Sequence, residues 1–222
     1  MYGREYNGKT LSFEASGGLK NSSLIMQDFE TNSYWAIMEG EAIGGEMKGT
    51  KLVELPVSKK TQWKDWVKEY PNTLVLSVNG QEDAQHGYKD YFTSSQGFRG
   101  QQAEDKRLQD KEPIFSFRLN GKSYAVPHIA ISEGKSFLIE DRAVFLYRPE
   151  SVDMFYSTVA FLSKGEKIKF TNLKWSDEDS GCSFNPESEM FEGKNNCPEK
   201  ISGFDTFWYN WSLNNPETVL LK

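Results

Sequence analysis

The stretch TQWKDWVKEYPNTLVL, residues 61–76, is repeated almost in register as TFWYNWSLNNPETVLL, residues 206–221. Each copy places two tryptophans three positions apart and then continues with proline, threonine and apolar residues. Residues three or four apart share one face of a helix, and proline cannot continue a helix. Each copy therefore predicts a short tryptophan-bearing helix (60–70 and 205–213) followed by a strand (73–78 and 218–221). Repetition at fixed register further predicts two related lobes.

The composition is that of an acidic globular chain. Its 222 residues carry a net charge of −6, with 37% hydrophobic and 14% aromatic residues. A nucleic-acid-binding surface normally needs a concentrated Lys/Arg face, which this sequence lacks, so we expect no nucleic-acid partner. No apolar run reaches the roughly 20 residues of a membrane-spanning helix, so we expect no transmembrane segment. The first ten residues lack the basic and apolar regions of a secretory signal, and we expect the chain to begin within a domain.

Short alternating runs separated by turn residues predict a mainly β (α+β) protein. The pairs Asn7-Gly8 and Asn120-Gly121 tolerate the positive φ of primed turns, so each predicts a β-hairpin. Short connections leave no room for parallel crossovers, which favours antiparallel pairing. The other predicted strands are residues 10–13, 24–28, 34–38, 51–55, 114–119, 122–126, 136–139, 143–147, 154–162 and 167–173, and residues 16–23 are predicted to be a loop.

The repeat and the local composition together predict a domain plan. Residues 1–80 form the first lobe, incomplete at its N-terminus; residues 81–112, which have little apolar content, form a linker; and residues 113–222 form the second lobe. Two shorter echoes support this plan, because residues 31–35 resemble residues 180–184 and residues 38–40 resemble residues 191–193. Ser58 is the predicted N-cap of the first helix. We therefore expect two related antiparallel, strand-rich lobes, each with one short Trp-containing helix.

The chain also resembles a known family. The segments that carry the likeness are GKTLSFEASGGLKNSSLIMQDFETNSYW (8–35), GEAIGGEMKGTKLVELP (40–56) and FDTFWYNWSLNNPETVLL (204–221). They are similar to the bacterial domain of unknown function 3179 (DUF3179) family. This resemblance implies a periplasmic or extracellular protein with no settled activity. Family members usually carry, ahead of the position of Met1, a segment with a His-Glu pair and a Cys-Pro-Leu-Cys motif, so this chain resembles an N-terminally short member.

The resemblance also suggests ligand-binding candidates. One loop of the family usually reads Leu-Tyr-Asn-Ser-Asp, whereas Lys20 and Ser23 replace the tyrosine and the carboxylate here. The retained positions make candidates of Asn21, Ser22, Asp28 and Trp35.

The two histidines are interpreted from their sequence context. His128 follows a predicted strand and is a fifth ligand-binding candidate, although a turn or partly buried histidine is the simpler interpretation. His86 is interpreted as a solvated residue of the linker. Neither histidine belongs to a common metal-ligand spacing, so we expect no metal site and no cofactor.

The two cysteines, Cys182 and Cys197, flank a segment rich in Gly, Asn and Pro. A disulfide between them would close a loop of about 15 residues. Two reduced buried thiols, or a pair of soft metal ligands, are the alternatives. Export, which the family resemblance implies, favours the disulfide.

Three functional hypotheses follow from the sequence. The absence of a recognisable catalytic constellation favours a non-enzymatic binding or scaffold module with a small-molecule or protein ligand. The alternative is a partial or inactive form of a metal- or thiol-dependent enzyme whose reactive residues precede Met1. The third hypothesis is a carbohydrate- or peptide-binding surface formed by Tyr88, Tyr91, Phe92 and the groove between the two lobes.

Overall fold

A computed structural model of the chain describes residues 1–57, 59–77, 79–80, 88–150, 153–194 and 196–222. Over these ranges the chain is mainly β, with short strands in antiparallel sheets and a few short helices, two of which contain tryptophan. The predicted fold class is thereby confirmed. Both Asn-Gly hairpins are also confirmed, and both residues of each turn have positive φ.

The elements are numbered in chain order. The strands are β1 (Glu5–Tyr6), β2 (Lys9–Thr10), β3 (Phe13–Lys20), β4 (Ser23–Asp28), β5 (Tyr34–Ala36), β6 (Glu41–Gly44), β7 (Pro113–Leu119), β8 (Lys122–Pro127), β9 (Lys135–Ile139), β10 (Arg142–Tyr147), β11 (Val159–Leu162), β12 (Ile168–Thr171), β13 (Lys174–Asp177), β14 (Ser183–Asn185), β15 (Met190–Glu192), β16 (Glu199–Lys200), β17 (Phe204–Phe207) and β18 (Val219–Leu220). The helices are α1 (Trp63–Glu69), α2 (Lys89–Thr93) and α3 (Trp208–Asn214).

Within the described residues the strands form five sheets, with spatial orders β1-β2, β3-β4-β5-β6, β17-β7-β8-β18, β16-β11-β10-β9 and β12-β13-β14-β15. The sheet β3–β6 is the first meander, and the sheet β12–β15 is the second. The C-terminal strand β18 pairs in parallel with β8, whereas the neighbouring pairs of that sheet are antiparallel.

The second half of the chain is layered because its central strands bury both faces. In β10, Val144 and Leu146 face one core, whereas Ala143, Phe145 and Tyr147 face the opposite core. Alternate side chains of a strand point to opposite faces, so a strand buried on both sides reads as a continuous apolar run. The layers are, in order, the second meander, the β9-to-β11 sheet, the β7–β8 hairpin and helix α3.

Helix α3 lies between the hairpin β7–β8 and the first meander. The indoles of Trp208 and Trp211 are fully buried, in one cluster with Ile114 of β7 and Ala125 of β8. Met38, from the turn after β5, belongs to the same cluster. The helix is thus part of the core on two sides.

Arg118, on β7, joins the two halves of the chain. Its guanidinium donates to Glu54 Oε1 and to the carbonyl of Met38, both at 2.6 Å, and to Asn215 Oδ1 at 2.9 Å. It also lies 4.9 Å from the ring centroid of Trp211. A planar guanidinium can make several directed hydrogen bonds while it stacks on an aromatic ring, which a lysine cannot do.

The two meanders share a carboxylate-capped turn. Asp28, at the end of β4, accepts hydrogen bonds from the backbone and hydroxyl of Thr31 and, at 2.7 Å, from Trp35 Nε1. Asp177, at the end of β13, accepts hydrogen bonds from the backbone and hydroxyl of Ser180. The sequence similarity between residues 31–35 and 180–184 therefore corresponds to a shared hydrogen-bonding pattern in the two turns.

Several local predictions were wrong. The predicted loop 16–23 is mostly strand, because a bulge after Ala15 lets β3 continue to Lys20, and Gly17 supplies the positive φ. The strand predicted at 51–55 is reduced to isolated bridges. The strand predicted at 154–162 begins at Val159, and the helix predicted from residue 205 begins at Trp208, since residues 205–207 pair with β7.

The strand predicted after the first helix is also missing from the described residues. Residues 73–77 belong to no strand, and Leu74 and Leu76 are more than 90% exposed. Val78 and Ser58 lie outside the described residues, and α1 begins after Gln62. The boundaries at 80 and 112 stay a prediction; the described part of the predicted linker contains α2.

Cys182 and Cys197 form a disulfide, as one of the three alternatives predicted. Cys182 is fully buried between the β9-to-β11 sheet and the second meander. Gly193 packs against it so closely that a Cβ there would lie 2.4 Å from the sulfur. The disulfide therefore ties the segment after β15 to the core.

We expect Asp28→Asn to lower the free energy of unfolding by about 2 kcal/mol, because one amide oxygen cannot replace two carboxylate oxygens as the acceptor for Thr31 and Trp35. Asp179→Asn, in the corresponding turn of the second meander, changes an exposed carboxylate and is expected to stay within about 0.5 kcal/mol of the wild type. Chemical denaturation measures both variants. Equal destabilisation by the two would contradict the capping role of Asp28.

We expect the double variant Cys182→Ala/Cys197→Ala to lose about 3 kcal/mol of unfolding free energy, because the unfolded chain gains the entropy of an open loop. Dithiothreitol should destabilise the wild type similarly and leave the double variant unchanged. A wild type indifferent to the reductant, with its thiols shown to be free, would contradict the disulfide.

Candidate functional site

A buried polar cluster lies where several strands end. Asp205 is on β17, His128 directly follows β8, Arg148 directly follows β10, and Thr158 directly precedes β11. Since β17 and β8 flank β7, and β10 pairs with β11, these chain ends meet between two neighbouring sheets. We refer to these four residues as the Asp205 cluster.

The carboxylate of Asp205 is the common acceptor of the cluster. Its Oδ1 lies 2.9 Å from His128 Nε2, 2.6 Å from Thr158 Oγ1 and 3.3 Å from Arg148 Nη1. Its Oδ2 accepts the backbone N–H of Thr158 at 2.9 Å. Only 7% of the Asp205 side chain and 4% of the Arg148 side chain are exposed, so the charges are buried and paired.

Arg148 also fixes the loop that leads to β11. Its guanidinium donates to the carbonyl of Asp153 at 2.8 Å, to the carbonyl of Tyr156, and to Thr158 Oγ1 at 3.1 Å. These hydrogen bonds satisfy two backbone carbonyl groups that take no part in strand pairing. The same side chain thus neutralises Asp205 and sets the position of Thr158.

The two ionisable partners of the cluster are in different charge states at neutral pH. Burial alone would raise the pKa of Asp205, but hydrogen bonds from His128 and Thr158 outweigh it and hold the pKa of this carboxyl below its ordinary value. Burial lowers the pKa of His128, while Asp205 opposes the shift and the charges of Arg148 and Lys60 add to it. Asp205 is therefore ionised and His128 neutral at pH 7.

A first cleft, of about 350 Å³, opens on one side of Asp205. We call it the lysine cleft, because it combines three lysines and four hydroxyls with a single carboxylate. Its polar lining consists of Lys59, Lys60, Lys200, Ser157, Thr158, Ser202, Thr206 and Asp205. The hydroxyl of Ser202 is buried and has no hydrogen-bond partner among the described residues.

The three lysines of the cleft have different partners. Lys59 forms an ion pair with Glu69 at 2.7 Å. The ammonium of Lys60 donates to the backbone carbonyl of Asp205 at 3.1 Å, and burial of that end lowers its pKa, although the residue as a whole is exposed and therefore screened by solvent. Lys200 is exposed on β16 and makes no ion pair within the described part of the chain.

A second cleft, of about 300 Å³, lies on the other side of Lys60 and Asp205. Its apolar lining includes Tyr91, Phe92 and Phe155, and His128 contributes to its wall. The hydroxyl of Tyr91 bonds that of Tyr209 at 3.0 Å. Of the three aromatic residues predicted to form a binding surface, Tyr91 and Phe92 line this cleft, whereas Tyr88 is 63% exposed on the surface.

The five ligand-binding candidates predicted from the sequence lie in three settings. Asn21 and Ser22 form the turn between β3 and β4, and the Asn21 amide donates to the carbonyl of Leu213 at 2.9 Å. Asp28 and Trp35 are buried and bond each other, and Trp35 also lines an apolar cleft of about 340 Å³. His128 lies in the Asp205 cluster. Ligand binding by these residues stays a prediction.

Sequence reasoning missed four residues of this region, namely Lys60, Arg148, Thr158 and Asp205. The sequence predicts Asp205 and Lys60 within the two helices, whereas in the structure both residues precede the helices. The one local signal was Arg148, a charged residue directly after the apolar strand run AVFLY, which marks a charge near the core. The other three carry no such signal, because their contacts join distant parts of the chain.

The described ranges contain no group of three or more His, Cys, Asp and Glu side chains arranged to hold a metal ion. In the same part of the chain, each helix is too short and too polar to cross a membrane.

Acidification is expected to destabilise the protein through His128. Its folded pKa is depressed, so the unfolded chain takes up the proton first as the pH falls through about 6.5. The stability that His128 contributes is therefore complete above that pH and is lost below it, at no more than about 1.4 kcal/mol per pH unit. Urea denaturation at pH 7.5 and 5.5 should show a smaller difference for His128→Gln than for the wild type.

His86→Gln is the matched control, since it removes the other histidine. We expect it to retain the wild-type pH dependence. A flattened pH dependence in this variant, with the wild-type dependence in His128→Gln, would contradict the assignment.

Comparison with known proteins agrees with the resemblance noted from the sequence. The family model described as "Protein of unknown function (DUF3179)" matches residues 1–218. Searches of curated proteins and of solved structures give no significant match. The matched range includes both meanders, both tryptophan helices and both clefts. The chain therefore belongs to the DUF3179 family of proteins of unknown function.

Proposed function

We propose that this DUF3179 protein is a non-enzymatic binding module for a small organic anion, and that the acidic group of this ligand binds in the lysine cleft. The observation that carries the proposal is a cleft of about 350 Å³ lined by Lys59, Lys60 and Lys200, in which Asp205 is the one carboxylate among the described residues and is paired with Arg148.

The charge of the cleft supports an anionic ligand. The chain as a whole carries −6, yet this cleft gathers Lys59, Lys60 and Lys200 around a single carboxylate. That carboxylate, Asp205, is already paired with Arg148 and bonded to His128. The negative charge of Asp205 is thus largely neutralised from behind. Because Lys59 is paired with Glu69, the positive potential of this partly enclosed site comes mainly from Lys60 and Lys200.

The remaining lining of the cleft supports an organic ligand. Phe115, Ile201 and Phe204 form an apolar wall beside the polar groups. Small-molecule sites typically combine an apolar lining with a few convergent polar groups, in volumes from roughly 300 Å³ upward. The size and lining of this cleft suit a carboxylate or phosphate ester with an apolar portion better than a bare inorganic ion.

A catalytic function has less support. A neutral histidine oriented by an ionised aspartate is a possible general base. However, among the described residues His128 makes its side-chain hydrogen bond with Asp205 alone, and no hydroxyl nucleophile bonds to it. The alternative of a partial or inactive metal- or thiol-dependent enzyme stays a prediction, as does a scaffold function.

Isothermal titration with phenyl phosphate, benzoate, citrate and inorganic phosphate tests the proposal. We expect saturable binding of at least one organic anion, weakened by added salt because exposed charges are screened. Lys60→Ala and Lys200→Ala should each weaken binding about tenfold or more, since one charge-assisted hydrogen bond contributes roughly 1.5–3 kcal/mol.

Lys9→Ala is the matched control, because Lys9 is an exposed lysine on β2 and its removal changes the net charge equally. All variants should unfold at the wild-type denaturant concentration. The proposal fails if none of the four anions binds saturably, or if Lys9→Ala weakens binding as much as the cleft variants do.

A further inference from the structure

The second cleft, of about 300 Å³, is lined by aromatic rings from three parts of the chain. These are Tyr91 and Phe92 of α2, Phe155 of the loop before β11, and Phe207 at the end of β17. The rings of Phe92 and Phe155 meet edge to face with their centroids 5.2 Å apart, and those of Tyr91 and Phe207 are 6.1 Å apart. Aromatic rings favour such edge-to-face and offset contacts, so these walls suit a further aromatic ring.

The rings of the cleft are held in place by neighbouring residues. The hydroxyl of Tyr91 bonds that of Tyr209, a buried residue of α3, which also accepts the backbone N–H of Phe98 at 3.2 Å. The ammonium of Lys111 lies 4.1 Å from the ring centroid of Tyr91 and 5.1 Å from that of Phe207, and it donates to the carbonyl of Tyr91. A site whose walls are already fixed loses less conformational entropy when a ligand binds.

His128 supplies a hydrogen-bond acceptor to this aromatic cleft. Because Asp205 is ionised and can only accept, the neutral imidazole must donate to it through the Nε2 atom, 2.9 Å from Oδ1. The other ring nitrogen, Nδ1, then carries a lone pair and no proton. It has no hydrogen-bond partner among the described residues. Asp205 thus fixes both the orientation and the tautomer of the ring.

The imidazole lies where two clefts meet. A third cleft, of about 280 Å³, shares His128, Pro113 and Met154 with the second cleft. A ligand whose ring lies in the second cleft can therefore reach the edge of the imidazole.

The charges in the lining of the second cleft oppose each other. The lining contains one ammonium, that of Lys60, and one carboxylate, that of Asp205. The Lys60 ammonium also donates to the backbone carbonyl of Asp205. Unlike the lysine cleft, this site therefore requires no charge on its ligand.

We propose that the second cleft binds an uncharged phenol, whose ring packs among the aromatic side chains and whose hydroxyl donates a hydrogen bond to Nδ1 of His128. A ring without a donor would exclude water from Nδ1 and leave this acceptor unsatisfied. An aliphatic alcohol would satisfy Nδ1 but lose the contacts between rings. The site thus selects for a hydroxyl on an aromatic ring.

Nuclear magnetic resonance of isotope-labelled histidine ring nitrogens tests this proposal in the full chain at pH 7.5. The chain has only two histidines, so His86 is an internal control, and the His86→Gln variant assigns the signals. Phenol should shift the Nδ1 signal of His128 saturably, shift its Nε2 signal less, and leave the His86 signals in place. Anisole, which lacks the donor, and cyclohexanol, which lacks the aromatic ring, should each bind about threefold more weakly or worse.

Phe155→Leu tests the aromatic wall, because it removes a ring of the cleft and keeps an apolar side chain. It should weaken phenol binding about threefold or more and reduce the preference for phenol over cyclohexanol. Phe170→Leu is the matched control, since Phe170 is 55% exposed on β12 and does not line this cleft. The control should bind phenol as the wild type does. Both variants must retain the wild-type circular dichroism.

Four results would overturn the proposal. These are no saturable shift of the His128 signals, a shift of Nε2 in place of Nδ1, anisole binding as tight as phenol binding, and equal weakening by Phe155→Leu and Phe170→Leu. The proposal does not rest on anion binding, because Lys200 lines the lysine cleft but not the second cleft. Lys200→Ala should therefore retain the wild-type affinity for phenol, and either proposal can fail while the other holds.

Discussion

The burial of two indoles, Trp208 and Trp211, is the interaction on which the arrangement of the whole chain depends. A buried aromatic side chain removes roughly 150–250 Å² from water, more than most other residues. These two rings do so between parts of the chain that are far apart in sequence, since the hairpin β7–β8 lies on one side and Met38 on the other. Arg118 then stacks on Trp211 and bonds Glu54 and the Met38 carbonyl, so the aromatic contact also fixes the position of the first meander.

How far the sequence predicts this structure depends on the range of the interactions involved. The Asn-Gly hairpins and the C-terminal ends of the two tryptophan helices were predictable, because turn geometry and the helix-ending prolines act within a few residues. The starts of the helices were not; at α3, residues 205–207 pair with β7 instead. The strand β3 was missed because its pairing with β4 overrides the loop propensity of Gly17 and Gly18. The strand expected at 73–78 was predicted from side chains that favour strands, yet a strand needs a partner edge, which residues 73–77 lack within the described chain.

The candidate site was the least predictable feature for the same reason. Asp205, His128 and Arg148 are separated by tens of residues and meet only because three strands end at one place. Each of these charged or polar side chains would be costly to bury alone, and together they satisfy one another's hydrogen-bonding groups. No single residue therefore marks the site in the sequence. Only His128 was singled out from the sequence, because histidines are rare in this chain. Its partner could not be, since an aspartate in a sequence with 32 acidic residues is not distinctive.

The two copies of the repeat show which features are set by local sequence and which by tertiary contacts. Local sequence sets the backbone of α1 and α3 alike, down to the angles of the residues that flank them. Context decides that one helix is core and the other surface. The surface copy is joined directly to the lysine cleft, because Lys60 precedes α1 by three residues and its backbone N–H bonds the Ser157 hydroxyl of the cleft wall. Lys60 therefore ties the start of the exposed copy to the wall of the cleft, because its side chain also donates to the backbone carbonyl of Asp205.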